Sequence, residues 1–128
     1  VIYLFHGSDA NKVRAKAFQW VAAARAKAPD AFYTRLSADA VTGASLREAV
    51  SAQGLFYSKT LVVLDDPFSS AESAEAVLDF LPELASSQNV VAILAPKLLA
   101  ARVKKVEAKA EKVFTVEAAA QPPRRLKK

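Results

Sequence analysis

A chain of 128 residues with 52% hydrophobic side chains and only 3 glycines fits a single compact globular domain that buries a core of its own. It has no cysteine and one histidine, His6, which excludes disulfide scaffolds, thiolate zinc sites, cysteine nucleophiles and histidine metal clusters, and leaves a histidine triad without support. No apolar run approaches the roughly 20 residues of a membrane span and no secretory signal pattern opens the chain, so a cytoplasmic protein without membrane contact is expected.

The formal charge of +5 is spread unevenly. Residues 1–96 carry 8 basic and 10 acidic side chains, whereas residues 97–128 carry 10 basic and 3 acidic. Summed along the chain, the positive field lies at the C-terminal end. Such a block attracts nucleic acid or an acidic protein face, or is simply a solvated lysine-rich surface.

In chain order, strand and helix alternate with the short connections of a parallel sheet. Val1 to Phe5 is an apolar, strand-forming run, and Ser8 or Asp9 can cap the helix that follows. That helix reaches about Ala28, with Val13, Ala17, Trp20, Val21 and Ala24 on one face, and stops at Pro29-Asp30. Ala31 to Leu36 reads as a second, weaker strand, and a short helix from about Ser45 to Ala52 leads into Gly54.

Thr60 to Leu64 is apolar throughout and ends in Asp65-Asp66-Pro67, where proline halts the ladder. Ser69 or Ser70 then caps a helix to about Ser86 that buries Ala74, Val77, Leu78 and Leu81, with Pro82 as a potential kink. Val90 to Ala95 is a fourth buried strand closed by Pro96. Leu98 to about Glu111 is an amphipathic basic helix, and Lys112 to Val116 is a fifth strand. Leu61 to Leu64 and Val90 to Leu94, apolar on both faces, read as central strands covered by helices on either side. Residues 1–120 therefore form the domain. Residues 121–128, QPPRRLKK, read as an extended basic linker toward a following domain, or as a phosphate-binding tail.

Three places invite a chemical test. Gly7-Ser8-Asp9-Ala10-Asn11-Lys12 carries a strand into a helix N-terminus through a glycine, as phosphate-binding loops do. The working pattern G-x-x-x-x-G-K-[ST] needs a second glycine and a hydroxyl after the lysine. Here the glycine is missing, Lys12 lies one position too near Gly7, and Val13 follows it. Asp9 would also oppose a phosphate, so a degenerate loop that binds no ATP is expected.

The second place, Leu61-Val62-Val63-Leu64-Asp65-Asp66, ends a strand in two carboxylates. In nucleotide hydrolases such a group holds Mg²⁺ through water. Without a phosphate cradle Asp65 and Asp66 are instead expected to satisfy backbone amides or to cap the next segment. His6, the third, leaves its strand at the ligand-binding edge of an open α/β sheet, and reads as either a ligand contact or a hydrogen-bonded structural residue. No catalytic group, metal site or cofactor is expected.

Gly54-Leu55-Phe56-Tyr57-Ser58-Lys59 is the most informative segment. Two large apolar side chains stand in a connection where polar residues are the rule. Leu55 and Phe56 either cap the core from the loop side or form a docking knob, since a few apolar anchors carry most of an interface's energy.

IYLFHGSDANKVRAKA, the strand VVLDD, and above all QGLFYSKTLVVLDD resemble the N-terminal domain of the delta subunit of the bacterial DNA polymerase III clamp loader, in order and spacing over nearly the whole chain. The resemblance implies a three-layer P-loop NTPase-like fold of the AAA+/RecA-like kind, with five parallel strands, helices on both faces and a phosphate loop that no longer takes nucleotide. It implies a non-catalytic domain that binds the ring-shaped sliding clamp, the polymerase's beta subunit, by pushing Leu55 and Phe56 into an apolar pocket and so favouring ring opening. Gly54 would permit the turn, and Tyr57 and Ser58 would complete the contact. Contact with other loader subunits would need regions beyond these 128 residues. Two further readings are a weak nucleic-acid contact through the basic C-terminal third, and a small P-loop ATPase or phosphotransferase using Gly7, Lys12 and Asp65.

Overall fold

The computed structural model describes residues 1–51, 60–96 and 100–116. Five strands alternate with four helices: β1 (Ile2–Gly7), α1 (Ala10–Lys27), β2 (Phe32–Ser37), α2 (Gly43–Ser51), β3 (Thr60–Asp65), α3 (Ala71–Ser86), β4 (Val90–Pro96), α4 (Ala100–Glu107) and β5 (Lys112–Thr115). Short 3₁₀ turns precede α2 and α3, at Ala38–Ala40 and Pro67–Ser69.

All strand pairs are parallel, in the order β2-β3-β4-β1-β5. The register sets Leu4 beside Ile93 and Val113, and Leu64 beside Ile93 and Leu36. β3 is buried along its whole length and β4 nearly so, which is why both read as unbroken apolar runs. β2 has only half-buried and exposed residues, as an edge strand should.

The two faces of the sheet carry separate cores because successive side chains point to opposite sides. Ile2, Leu4, Val62, Leu64, Val91 and Ile93 meet α2, α3 and α4 through Leu46, Val77, Leu81, Leu84 and Val106. Among the described residues, Phe5, Leu61, Val63, Ala92 and Leu94 meet α1 alone, through Val13, Ala17 and Val21. Trp20 is half-buried on the flank of α1, 4.7 Å from the ring of Tyr3 and 5.6 Å from that of Phe5.

Local signals set the helix ends. Asp9 caps α1, its Oδ1 accepting from the Lys12 amide at 3.1 Å. Ser70 is the N-cap residue of α3 but makes no side-chain cap bond. Ser73 Oγ instead donates back to the carbonyls of Pro67 and Ser70. Pro82 leaves α3 continuous to Ser86; it lies on the exposed side, where water can reach the carbonyl it leaves without an amide partner. α4 ends at Glu107, earlier than periodicity implies, because the Glu111 amide already pairs with the Ile2 carbonyl and commits the chain to β5. Leu98 and the basic segment 121–128 lie outside the described residues.

Among the described residues, no helix is long and apolar enough to cross a membrane. None of their His, Asp and Glu side chains gather in threes where a metal ion could be held.

Candidate functional site

The Gly7 loop with His6 and the Asp65-Asp66 strand end both fall at the C-terminal edge of the sheet. At the C-terminal edge, β1 runs through Gly7 into Asp9 and α1. Val116 closes over Gly7: its amide donates to the His6 carbonyl at 2.8 Å, and a Cβ on Gly7 would stand 1.6 Å from the Val116 carbonyl oxygen. Gly7 thus lets the chain at the end of β5 approach β1 closely. His6 Nε2 lies 3.1 Å from Thr115 Oγ1 on the neighbouring strand, the structural partnership that was one of its two readings.

With Gly7 as the first glycine of the P-loop pattern, its second glycine, lysine and hydroxyl positions fall on Lys12, Val13 and Arg14. Val13 is wholly buried, so no cation stands at the lysine position. Arg14 projects across to β3 and pairs with Asp65 Oδ1. Arg35 from β2 holds Oδ2 through Nε at 3.1 Å and through Nη2. Both guanidiniums also lie over the Phe18 ring, at 5.4 and 4.9 Å.

Asp65 is 8% exposed, while the two arginine side chains keep 39% and 47% of their surface in water. Burial pushes its carboxyl up, but hydrogen bonds and charge from Arg14 and Arg35 outweigh that effect and hold it below the usual carboxylate range. Its partners are side chains, not the backbone amides expected from the sequence. The carboxylate that would anchor Mg²⁺ in a hydrolase is occupied on both oxygens by internal cations.

Asp66 adopts a left-handed conformation, φ 56° and ψ 52°, and its carbonyl accepts from the Ser69 amide at 3.2 Å and Ser69 Oγ at 2.8 Å. It turns the chain by its backbone, without a side-chain cap. Burial and then the Asp65 charge raise its carboxyl pKa.

At the N-terminal edge, α2 and β3 flank the segment 52–59. Gly54, Leu55, Phe56, Tyr57 and Ser58 lie outside the described residues, but the flanks are fixed. Asn89, 4% exposed at the entrance to β4, donates its side-chain amide to the Ala49 carbonyl at 2.8 Å. Ser87 Oγ lies 3.4 Å from the Val50 carbonyl, and the backbone amide of Asn89 donates to Ser87 Oγ at 3.1 Å. The last turn of α2 is therefore held by the α3–β4 connection, and on the other side Thr60 is buried at the start of β3. An apolar recess of about 120 Å³ opens at this same edge, between Tyr3, Trp20, Tyr33, Thr60, Leu61 and Val90.

No family model matches the chain, and no curated protein matches it. What fold and geometry define is an α/β domain of three layers, with a five-stranded all-parallel sheet and four helices, compatible with a Rossmann-like or P-loop build.

Proposed function

We propose that this chain is a clamp-binding domain like the N-terminal domain of the bacterial clamp-loader delta subunit, AAA+-like in fold and acting in the cytoplasm during DNA replication. Leu55 and Phe56 enter an apolar pocket on the sliding clamp, and the binding energy favours the open ring. No covalent chemistry is assigned to the domain. Full burial of the pair supplies on the order of 3 to 6 kcal/mol before ordering costs, enough for an interface anchor.

The observation that carries this reading is the division of labour between the two sheet edges. The edge that would hold nucleotide is filled by Arg14, Arg35 and the Val116 backbone. At the opposite edge both described flanks of the sequence segment Gly54 to Lys59 are anchored, α2 through Ala49 and β3 through buried Thr60. A scaffold that braces both ends of a greasy connection favours a binding role over catalysis. β3 rises about 3.3 Å per residue, so the two edges stand roughly 20 Å apart and a partner at one leaves the other uncovered.

A pull-down of a bacterial sliding clamp by the wild-type chain and by Leu55→Ala/Phe56→Ala tests the proposal. Capture by the wild type that is lost in the double variant supports it; capture that survives contradicts it. Saturable micromolar binding of a fluorescent ATP analogue would favour the phosphotransferase reading instead.

A further inference from the structure

The fold sorts charge in a way that summation along the chain conceals. α1 contains Lys12, Arg14, Lys16, Arg25 and Lys27 and no acidic residue; α3 contains Glu72, Glu75, Asp79 and Glu83 and no basic one. The two helices pack on opposite faces of the sheet.

Each set forms a stripe. At 3.6 residues per turn, Lys12, Lys16 and Lys27 fall on one side of α1 over about 22 Å, and the four acids of α3 fall on one side over about 16 Å. All seven side chains are exposed. Among the described residues no ion pair engages any of them. On the helices beside α3, Arg47 lies over the ring of Phe80 within α3 and Arg102 over that of Phe68, and among the described residues no ion pair joins these arginines, Lys104 or Lys105 to the four acids. Like charges three and four residues apart destabilise a helix, which applies to Lys12/Lys16 in α1 and to Glu72/Glu75, Glu75/Asp79 and Asp79/Glu83 in α3, so both stripes carry repulsion that an opposite stripe would relieve.

We propose that the α1 stripe of one molecule docks on the α3 stripe of a second copy of this chain. A nucleic acid on α1 would answer the lysines alone and leave the α3 stripe on the opposite face without a counter-charge, whereas a second copy complements both stripes at once. Because the contact joins different faces, it is heterologous and leaves an unused stripe at each end. A helix-on-helix contact of three turns buries less than the roughly 1,000 Å² of a stable complex, so the association is weak and salt-sensitive. It is independent of Leu55 and Phe56.

Sedimentation velocity on the full chain tests this at about 0.01 M salt, where the Debye length is about 30 Å, and at about 0.15 M, where it is about 8 Å. The wild type should show a mass that rises with concentration past the dimer at low salt and a monomer at the higher salt. Lys12→Glu/Lys16→Glu/Lys27→Glu, acidic on both faces, and Glu75→Lys/Asp79→Lys/Glu83→Lys, basic on both, should each be monomeric, and their mixture should associate again. Circular dichroism checks that each variant is folded, and Leu55→Ala/Phe56→Ala should associate as the wild type does. A wild type that is monomeric at low salt, or charge variants that still self-associate singly, would overturn the proposal. So would a monomeric wild type that retains duplex DNA through the same lysines.

Discussion

Arg14 pairs with Asp65 from the helix position where the P-loop pattern carries its Mg²⁺-binding hydroxyl. The two residues are 51 apart in sequence, and Arg35 joins them from the neighbouring strand. Asp65→Asn should cost about 1 to 2 kcal/mol in urea unfolding, because it removes a buried charge partner while both arginines can still be hydrated.

The same cluster sets part of the acid stability. With its pKa depressed in the fold, Asp65 contributes stability that is present above its unfolded pKa and is lost as pH falls through the folded one, below the ordinary carboxylate range. Urea titrations over the acid limb should therefore show a shallower loss in Asp65→Asn than in the wild type. Equal slopes would separate the ion pairs from acid unfolding.

Asp66 should behave in the opposite sense. Its carboxyl is raised by burial and by Asp65, so its ionised form opposes folding, and stability falls as pH rises through the raised value. Asp66→Asn removes the charge and keeps a residue that tolerates the left-handed conformation. A gain in stability near neutral pH that shrinks in acid is expected from thermal or urea melts.

Gly7→Ala should be severe, at about 2 to 4 kcal/mol, because the methyl group would collide with the Val116 carbonyl and that oxygen belongs to backbone. Amide exchange should quicken along β5 more than along β3. Uniform loss across the sheet would contradict the proposed local role of the contact.

Much of the fold was legible from residue order. Strand-forming runs ended by Pro67 and Pro96 located β3 and β4, and an N-cap followed by a 3.6-residue apolar period located α1. The partners of Asp65 were not legible, because Arg14 and Arg35 reach it only once the strand order brings α1 and β2 beside β3. Nor was the placement of the α1 cations and the α3 acids on opposite faces of the sheet, since five cations and four acids nearly cancel in any sum over residues 1–96 and strand order decides which face each helix covers. Asn89 gave no signal either: a buried amide that braces α2 looks like any polar residue before a strand.

That brace links the scaffold to the proposed interface. Asn89→Ala should cost about 1 to 2 kcal/mol by leaving the Ala49 carbonyl without its side-chain donor. It should also weaken clamp binding several-fold while Leu55 and Phe56 remain in place. Unchanged affinity in the folded variant would show that the α2 anchor does not position the segment.

Isothermal titration of a purified bacterial sliding clamp with the wild-type chain and with Leu55→Ala/Phe56→Ala tests the central claim most directly. The account predicts saturable wild-type binding and a loss of at least about 100-fold in the double variant, given roughly 1.4 kcal/mol per factor of ten, at an unchanged melting temperature. Equal affinities, or no wild-type binding at all, would contradict it.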